Sequence, residues 1–372
     1  MANKYRIHLL ALPNVQTTRA YSLDGFCTAT INFAKLLKEL GHEVILYASE
    51  ENEAPCDELV TVITKEEQES LLSATTNAKG ELDPTPYQYA YIEKWSPLWQ
   101  LANSRIIKEI AKRKQPRDFI CSIGGESQSP VANAHYEMIF VEYSIGYNGS
   151  FGNYRVFESE AFKHVSYGAQ GIGDGRFFDD VIPCFYDEKE FPYLNRPQKE
   201  PFALYVGRLI PRKGVEIACR VCAADNANIP LKIIGHGDQS LVTHGAEYLG
   251  ALSVEERNKW MARASVVFTP TLYLEPFNQV AVEAQLCGTP VIATPWGGFT
   301  ETIEEGFTGF RCHYLGEFVE AVGKCRKLSP SYIRARAIRK YSIHHVKHQY
   351  QRYFDRLSLL WEDGFNSTRP PV

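Results

Sequence analysis

Three stretches in the second half of the chain carry residue types that suit an anion flanked by hydroxyl groups. Gly207-Arg208-Leu-Ile-Pro-Arg-Lys213-Gly214 follows an apolar run that reads as a strand. A glycine there lets a ligand approach the backbone, and Arg208 and Lys213 add positive charge. On its own this turn reads more simply as a solvated basic loop. In Glu275-Pro-Phe-Asn-Gln-Val-Ala-Val-Glu283, Pro276 and the apolar spacing after it predict a helix start near Phe277–Asn278. The free N–H groups of such a start favour a phosphate. Glu275 falls just before this helix and Glu283 inside it. Two acids would repel a phosphate, so they suit hydroxyls on either side of one. Gly288-Thr-Pro-Val-Ile-Ala-Thr-Pro-Trp-Gly297-Gly298-Phe-Thr-Glu301 reads as a helix stop, a buried strand and a glycine loop.

The elements that must position these residues follow an α/β rhythm. The 372 residues, 44% hydrophobic and 23% charged, exceed one ordinary core and predict two domains. No run of about 18 apolar residues is present, so no spanning helix is expected. The apolar start Tyr5–Leu12 is interrupted by His8 and reads as a first buried strand rather than a signal segment. Nine scattered cysteines, with Cys219-x-x-Cys222 the one close pair, fit reduced thiols. A helix over Thr28–Leu40 and a strand over His42–Ala48 complete a βαβ unit, hence a parallel sheet. Further strands are expected at Asp118–Ile123 and Met138–Tyr143, and helices at Arg105–Lys114 and Glu158–Tyr167. After the two-proline linker Asn195–Pro201, strands at Phe202–Val206, Leu231–Ile234, Val266–Thr269 and Val291–Thr294 alternate with helices. The domains are therefore set at 1–193 and 194–342, and an amphipathic helix follows from Ile343 to 365. Residues 1–190 hold 18 basic and 27 acidic side chains and residues 191–372 hold 22 and 17, so the second half is better suited to an anion.

The order and spacing of the three blocks over residues 200–315 resemble the retaining family 4 glycosyltransferases. The resemblance implies the GT-B fold: two Rossmann-like parallel-sheet domains facing a central cleft, with a C-terminal helix crossing back. It implies that Arg208 and Lys213 bind a donor diphosphate and that Glu283 accepts ribose hydroxyls. Glu275 would hold sugar hydroxyls, and the backbone from Phe277 through Asn278, Gln279 and Val280 would cap the sugar and distal phosphate. Gly207, Gly235 and His236 would line the nucleotide cleft, with Leu252 near the base. With no Asp-x-Asp motif in the chain, a site without metal or other cofactor is expected, in which fixed positive charge stabilises the leaving diphosphate.

The first half departs from the family pattern. The family commonly has two glycines after its first strand; here Gly25, in Leu-Asp24-Gly25-Phe-Cys, is the one available. The usual mid-domain histidine is missing from Ile139-Phe-Val-Glu142-Tyr143-Ser144, which makes Glu142 and Tyr143 candidates for its place, with ordinary strand-end residues as the alternative. His135 and His164 are weaker candidates. Tyr143, Tyr147 and Tyr154, in a loop rich in glycine and aromatics, are candidates for the acceptor, and a local core is the equal alternative. Tyr87, Tyr89, Tyr91, Trp95 and Trp99 suit ordinary packing better than an acceptor surface. Lys324–Lys340 has seven basic residues and no acid; a solvated helical face is the first reading, with contact to a membrane surface the second.

The expected function is hexose transfer from a nucleotide-diphosphate sugar, UDP-hexose before GDP-mannose, to a hydroxyl of a glycan, a lipid-linked sugar or a small acceptor, in a cytoplasmic protein. A modified nucleobase is an alternative acceptor and the one way nucleic acid would be a partner. A GT-B phosphorylase or nucleotide-sugar epimerase, and a non-catalytic binding module, are the other classes.

Overall fold

The computed structural model describes residues 3–21, 25–73 and 94–366. Tyr87, Tyr89, Tyr91 and Asp24 lie outside them. The chain divides into two compact units. In chain order the first half runs β1 (Arg6–Leu10), α1 (Gly25–Glu39), β2 (Glu43–Ser49), β3 (Glu58–Ile63), α2 (Lys65–Ser73), α3 (Pro97–Arg113), β4 (Phe119–Ser122), α4 (Ser129–Ala134), β5 (Ile139–Ile145), β6 (Tyr154–Phe157), α5 (Glu160–Ala169) and β7 (Asp180–Val181). The second half runs β8 (Ala203–Val206), α6 (Val215–Ala223), β9 (Leu231–Ile234), β10 (Glu247–Gly250), α7 (Val254–Arg263), β11 (Val266–Thr269), α8 (Gln279–Leu286), β12 (Val291–Ala293), α9 (Phe299–Thr302), β13 (Gly309–Arg311), α10 (Leu315–Cys325), α11 (Pro330–Tyr341) and α12 (Ile343–Ser358).

Each unit is built on one parallel sheet, as the βαβ pattern predicts. The first has the order β3-β2-β1-β4-β5-β6-β7 and the second β10-β9-β8-β11-β12-β13. Both contain the 3-2-1-4-5-6 order of doubly wound folds, whose ligands bind at the carboxyl ends of the strands where the order reverses. The inner strands are buried and mostly apolar because helices cover both faces: β4, β5, β8, β11 and β12 have every residue buried. Cys219 and Cys222 are buried free thiols in α6.

The chain passes from the first unit to the second at Ile182/Pro183, not in Asn195–Pro201, and returns at Val346. The expected linker is tied to the second unit. Lys199 Nζ donates to Ala262 O and Thr289 Oγ1 at 2.8 and 2.6 Å, and Glu200 pairs with Arg263. Ser159–Val165 also belongs to the second unit. Polar composition marked a loop there, but such a loop can be anchored as firmly as a helix when its backbone and side chains find partners.

In the first unit α12 buries Val346, Tyr350, Tyr353, Phe354 and Leu357, the stripe its sequence predicts. Phe354 packs on Phe119 and Tyr5. Beneath it, the buried Asp355 Oδ1 accepts hydrogen bonds from Tyr5 OH (2.5 Å), Asn3 Nδ2 (3.1 Å) and Gln351 Nε2 (3.0 Å). Burial, and then this carboxylate, push the Tyr5 phenol up to about 12.

Glu142 and Tyr143 find their partners within the first unit. Both are fully buried. Tyr143 stacks on Phe33 with ring centroids 4.1 Å apart and donates to Thr30 Oγ1, so it joins β5 to α1. Glu142 Oε2 accepts the N–H groups of Phe151 (2.8 Å) and Gly152 (2.5 Å), and Oε1 accepts from Tyr147 OH (3.3 Å). The carboxylate organises the loop between β5 and β6. Tyr147 also packs edge-on against Phe26. Tyr154 opens β6 opposite Val141 and packs edge-on against Phe178, so it is not brought to Tyr147. His135 is buried with Nε2 on Ile107 O, His164 is exposed, Trp95 is 48% exposed and Trp99 is buried in α3.

Two outcomes follow. Asp355→Ala strands the Tyr5 hydroxyl and should lower stability by about 1–3 kcal/mol in urea unfolding. Burial raises the Glu142 carboxyl to about 6, against its hydrogen bonds, which lower it. A raised carboxyl binds its proton more tightly in the folded state, so its contribution is intact below the unfolded value of 4.5 and declines as pH rises to about 6. Relative to Glu142→Gln, the wild type should lose about 2 kcal/mol between pH 4.5 and 6.5, read from urea midpoints at the two pH values.

Candidate active site

The three sequence blocks leave the carboxyl ends of β8, β11 and β12, and β8 pairs with β11 where the strand order reverses. Close backbone approaches lock the blocks together. Gly214 has φ +72°, and a Cβ on it would lie 2.0 Å from Pro270 O. Leu272 N donates to Arg212 O at 2.8 Å, so the turn after β8 and the loop after β11 are stitched side by side. Gly297, at φ +62°, would place a Cβ 2.5 Å from Glu275 O, the oxygen that accepts the Gly298 N–H at 2.7 Å. Gly235 sits so close that a Cβ would meet Gly207 O at 1.9 Å. Tyr205 OH, rising from β8, donates to Arg208 O at 3.1 Å and steadies the basic turn.

Charge is arranged on this frame. Lys213 Nζ lies 2.8 and 3.1 Å from the two Glu275 oxygens. Tyr273 OH donates to Glu275 Oε1 at 3.1 Å. The Arg212 guanidinium and the Lys213 ammonium lie 4.2 and 4.9 Å from the centre of the Tyr273 ring. Arg208 is exposed, and its guanidinium has no hydrogen bond or ion pair among the described residues. It lies near His236, a half-buried imidazole held below its ordinary value by burial first and by Arg208 second.

The helix start falls where Pro276 predicts, one residue later than expected. Asn278 is the cap, at φ +67°, a conformation asparagine tolerates better than most residues. Its Oδ1 accepts the Ala281 N–H at 2.9 Å. The Gln279 and Val280 N–H groups, in the first turn of α8, have no acceptor within the helix and face the positive end of its dipole. Phe277 is buried edge-on against Tyr341, which leaves its backbone, not its ring, for a ligand.

Glu283 is brought to the same helix but is already answered by a cation. It is 4% exposed, and Arg257 NH2 stands 3.1 and 3.0 Å from its two oxygens. Burial raises its carboxyl and Arg257 opposes that. Leu252 is half-buried and packs on the core between β8 and α8. Gly25 opens α1 in the first unit. Glu301 accepts the Glu160 and Ala161 N–H groups and caps the start of α5.

Sequence reasoning missed Tyr273, Arg212 and Arg257. The first had a signal. In Leu272-Tyr-Leu-Glu275 both leucines are 51% exposed, so Tyr273 shares the inward face with Glu275. Arg257 had none, since a buried arginine on α7 looks like any surface arginine. The basic run 324–340 is largely committed within the second unit. Arg334 donates to Phe191 O and Leu286 O, Lys340 to Glu301 O, Arg336 pairs with Glu304 and Lys324 with Glu320. Arg326, Lys327 and Arg339 stay exposed. Among the described residues no helix is long and apolar enough to cross a membrane, and no three His, Cys, Asp or Glu side chains are placed to hold a metal ion.

Residues 187–324 match the family "Glycosyl transferases group 1". A phosphatidyl-myo-inositol mannosyltransferase of Propionibacterium freudenreichii is 33% identical over 120 residues, 31% of either chain. A D-inositol 3-phosphate glycosyltransferase of Mycobacterium leprae is 30% identical over 169 residues, 41% of this chain and 39% of that one. The matched stretch thus spans 31–39% of these curated relatives' length. The fold is shared more widely. A sucrose-phosphate synthase from Thermosynechococcus elongatus superposes with a TM-score of 0.68 over 96% of this chain and 100% of that one, at 17% identity. Anabaena HepE in complex with UDP and glucose gives 0.64 over 97% and 100%, at 16% identity. Residues 187–324 thus match a group 1 glycosyl transferase domain, and the chain shares the two-domain fold of these glycosyltransferase structures along its length.

Proposed function

We propose that the protein transfers a hexose from a nucleotide-diphosphate sugar to an acceptor hydroxyl, with the second unit holding the donor and the first the acceptor. The observation that carries this is the juxtaposition of Arg208, Lys213 and Glu275 with the start of α8 at the strand-order reversal. Arg208 and Lys213 take the diphosphate, and the Gln279 and Val280 N–H groups add donors for the sugar-bearing phosphate. Glu275 accepts from sugar hydroxyls. Glu283, steadied by Arg257, accepts from the ribose.

In the reaction the bond between the anomeric carbon and the diphosphate oxygen breaks, and the electron pair leaves with the diphosphate. The acceptor oxygen bonds to the same face of the sugar, and its proton passes to the departing phosphate oxygen. Configuration is retained and no protein nucleophile is required. The residues that work are those that stabilise negative charge on the leaving group, a preorganised electrostatic effect. Fixed cations and a helix start meet that need from the chain itself, so a metal-independent reaction is part of this reading.

A UDP-hexose is the favoured donor, supported by the fold shared with HepE, whose structure holds UDP and glucose. A mannosyl donor is the second reading, favoured by the match to a phosphatidyl-myo-inositol mannosyltransferase. A thermal-shift series with UDP, GDP, ADP, dTDP and their sugar conjugates tests both, because a ligand that binds the folded state alone raises Tm. One nucleotide should stabilise clearly; no shift from any at millimolar concentration overturns the reading. With that nucleotide, Arg208→Ala should weaken binding by about 2–3 kcal/mol. Glu275→Ala should leave nucleotide binding in place and abolish transfer.

A further inference from the structure

Lys213 cannot serve Glu275 and a diphosphate equally. Its ammonium rests on both Glu275 oxygens. An arriving diphosphate carries more charge and draws it away, which would leave a carboxylate that is 8% exposed short of a donor, a costly condition for a buried acid. Tyr273 is placed to prevent this. Its hydroxyl donates to Glu275 Oε1 and stands beside Lys213, so the carboxylate keeps this donor when the ammonium leaves. Its ring has Arg212 and Lys213 over it, and an aromatic face attracts a cation in that position without occupying its N–H groups. Its own carbonyl accepts from Trp296 Nε1 at 3.0 Å, so the residue is fixed by the loop after β12 as well. One side chain and its backbone thus touch all three motif blocks.

From this geometry we propose that Tyr273 is the positioning residue of the site, holding Glu275 and the basic turn in register while Lys213 exchanges the carboxylate for the diphosphate. The inference deepens the nucleotide-sugar reading and rests on it. The two halves of the side chain have separable duties. The hydroxyl keeps Glu275 aimed at the sugar, and the ring keeps the cations over the diphosphate.

The substitutions Tyr273→Phe and Tyr273→Leu separate them. The phenylalanine variant retains the ring, so the Kd for UDP or GDP, whichever binds the wild type, should stay within about twofold while kcat falls by about tenfold, the loss of one hydrogen bond to a charged group. The leucine variant should show the same fall in kcat and a Kd weakened by about fivefold. Wild-type kcat in the phenylalanine variant, or equal weakening of Kd in both, overturns the proposal. A double-mutant cycle of Tyr273→Phe with Glu275→Gln, read by urea unfolding without ligand, measures the hydroxyl–carboxylate bond directly. Coupling supports the bond and simple additivity overturns it. A wild type that binds and turns over no nucleotide sugar overturns the proposed function, and the cycle still reports on Tyr273.

Discussion

The site depends on how closely three backbone segments can approach. Pro270 O occupies nearly the position a side chain on Gly214 would need, and Glu275 O does the same at Gly297. Any residue with a Cβ would push the basic turn away from the loop after β11, or the glycine loop away from Glu275. That separation is what holds Lys213 within hydrogen-bond reach of Glu275 and Tyr273 beneath the two cations. The glycines therefore act on the chemistry through distance. They set how much positive charge can be concentrated at the carboxyl ends of β8 and β11.

Electrostatics then works on that frame with acids as well as bases. Two buried carboxylates beside an anion site would ordinarily be unfavourable. Each has its own cation, Lys213 for Glu275 and Arg257 for Glu283, and Glu275 has a phenol besides. On the proposed function each acid serves as an acceptor for hydroxyls while its charge is balanced locally, and the exposed Arg208 is left to an incoming anion. A buried pair of this kind adds little to stability, since desolvation offsets much of the attraction; its value here lies in orientation.

Much of this was legible in the sequence, and the exceptions have identifiable causes. Strand and helix positions followed from periodicity, and the donor-side blocks from glycine, proline and charge at fixed spacing. The partners of Glu142 and Tyr143 were not legible, because a strand end looks the same from sequence whether it faces a ligand or a neighbouring loop. The Phe151 and Gly152 N–H groups that claim the Glu142 carboxylate are nine and ten residues away, and only the turn between β5 and β6 brings them there. The domain boundary was set eleven residues late because Asn195–Pro201 has a linker's composition and yet is bonded to Ala262, Arg263 and Thr289. Arg257 was missed because burial, not residue type, distinguishes it.

The two units make the same point about topology. Both sheets reverse strand order in the same way, so both offer a place for a ligand by the rule for open α/β sheets. In the first unit the loop after β4, Ile123–Gln128, carries Glu126 and no basic residue. Its polar side chains are turned inward: Gln128 Oε1 accepts from Gly124 N, and its Nε2 donates to Ala11 O. Nearby Gln16 donates to Gln68, which donates to Pro13 O. Those amides satisfy the backbone of the first unit's own loops and concentrate no charge. The second unit uses its backbone contacts for glycine approaches instead, which leaves Arg208 exposed on the turn, Arg212 over the Tyr273 ring and Lys213 on Glu275. A shared strand order thus carries basic residues after β8 and amides after β4, and what each unit can bind depends on the residues its loops carry.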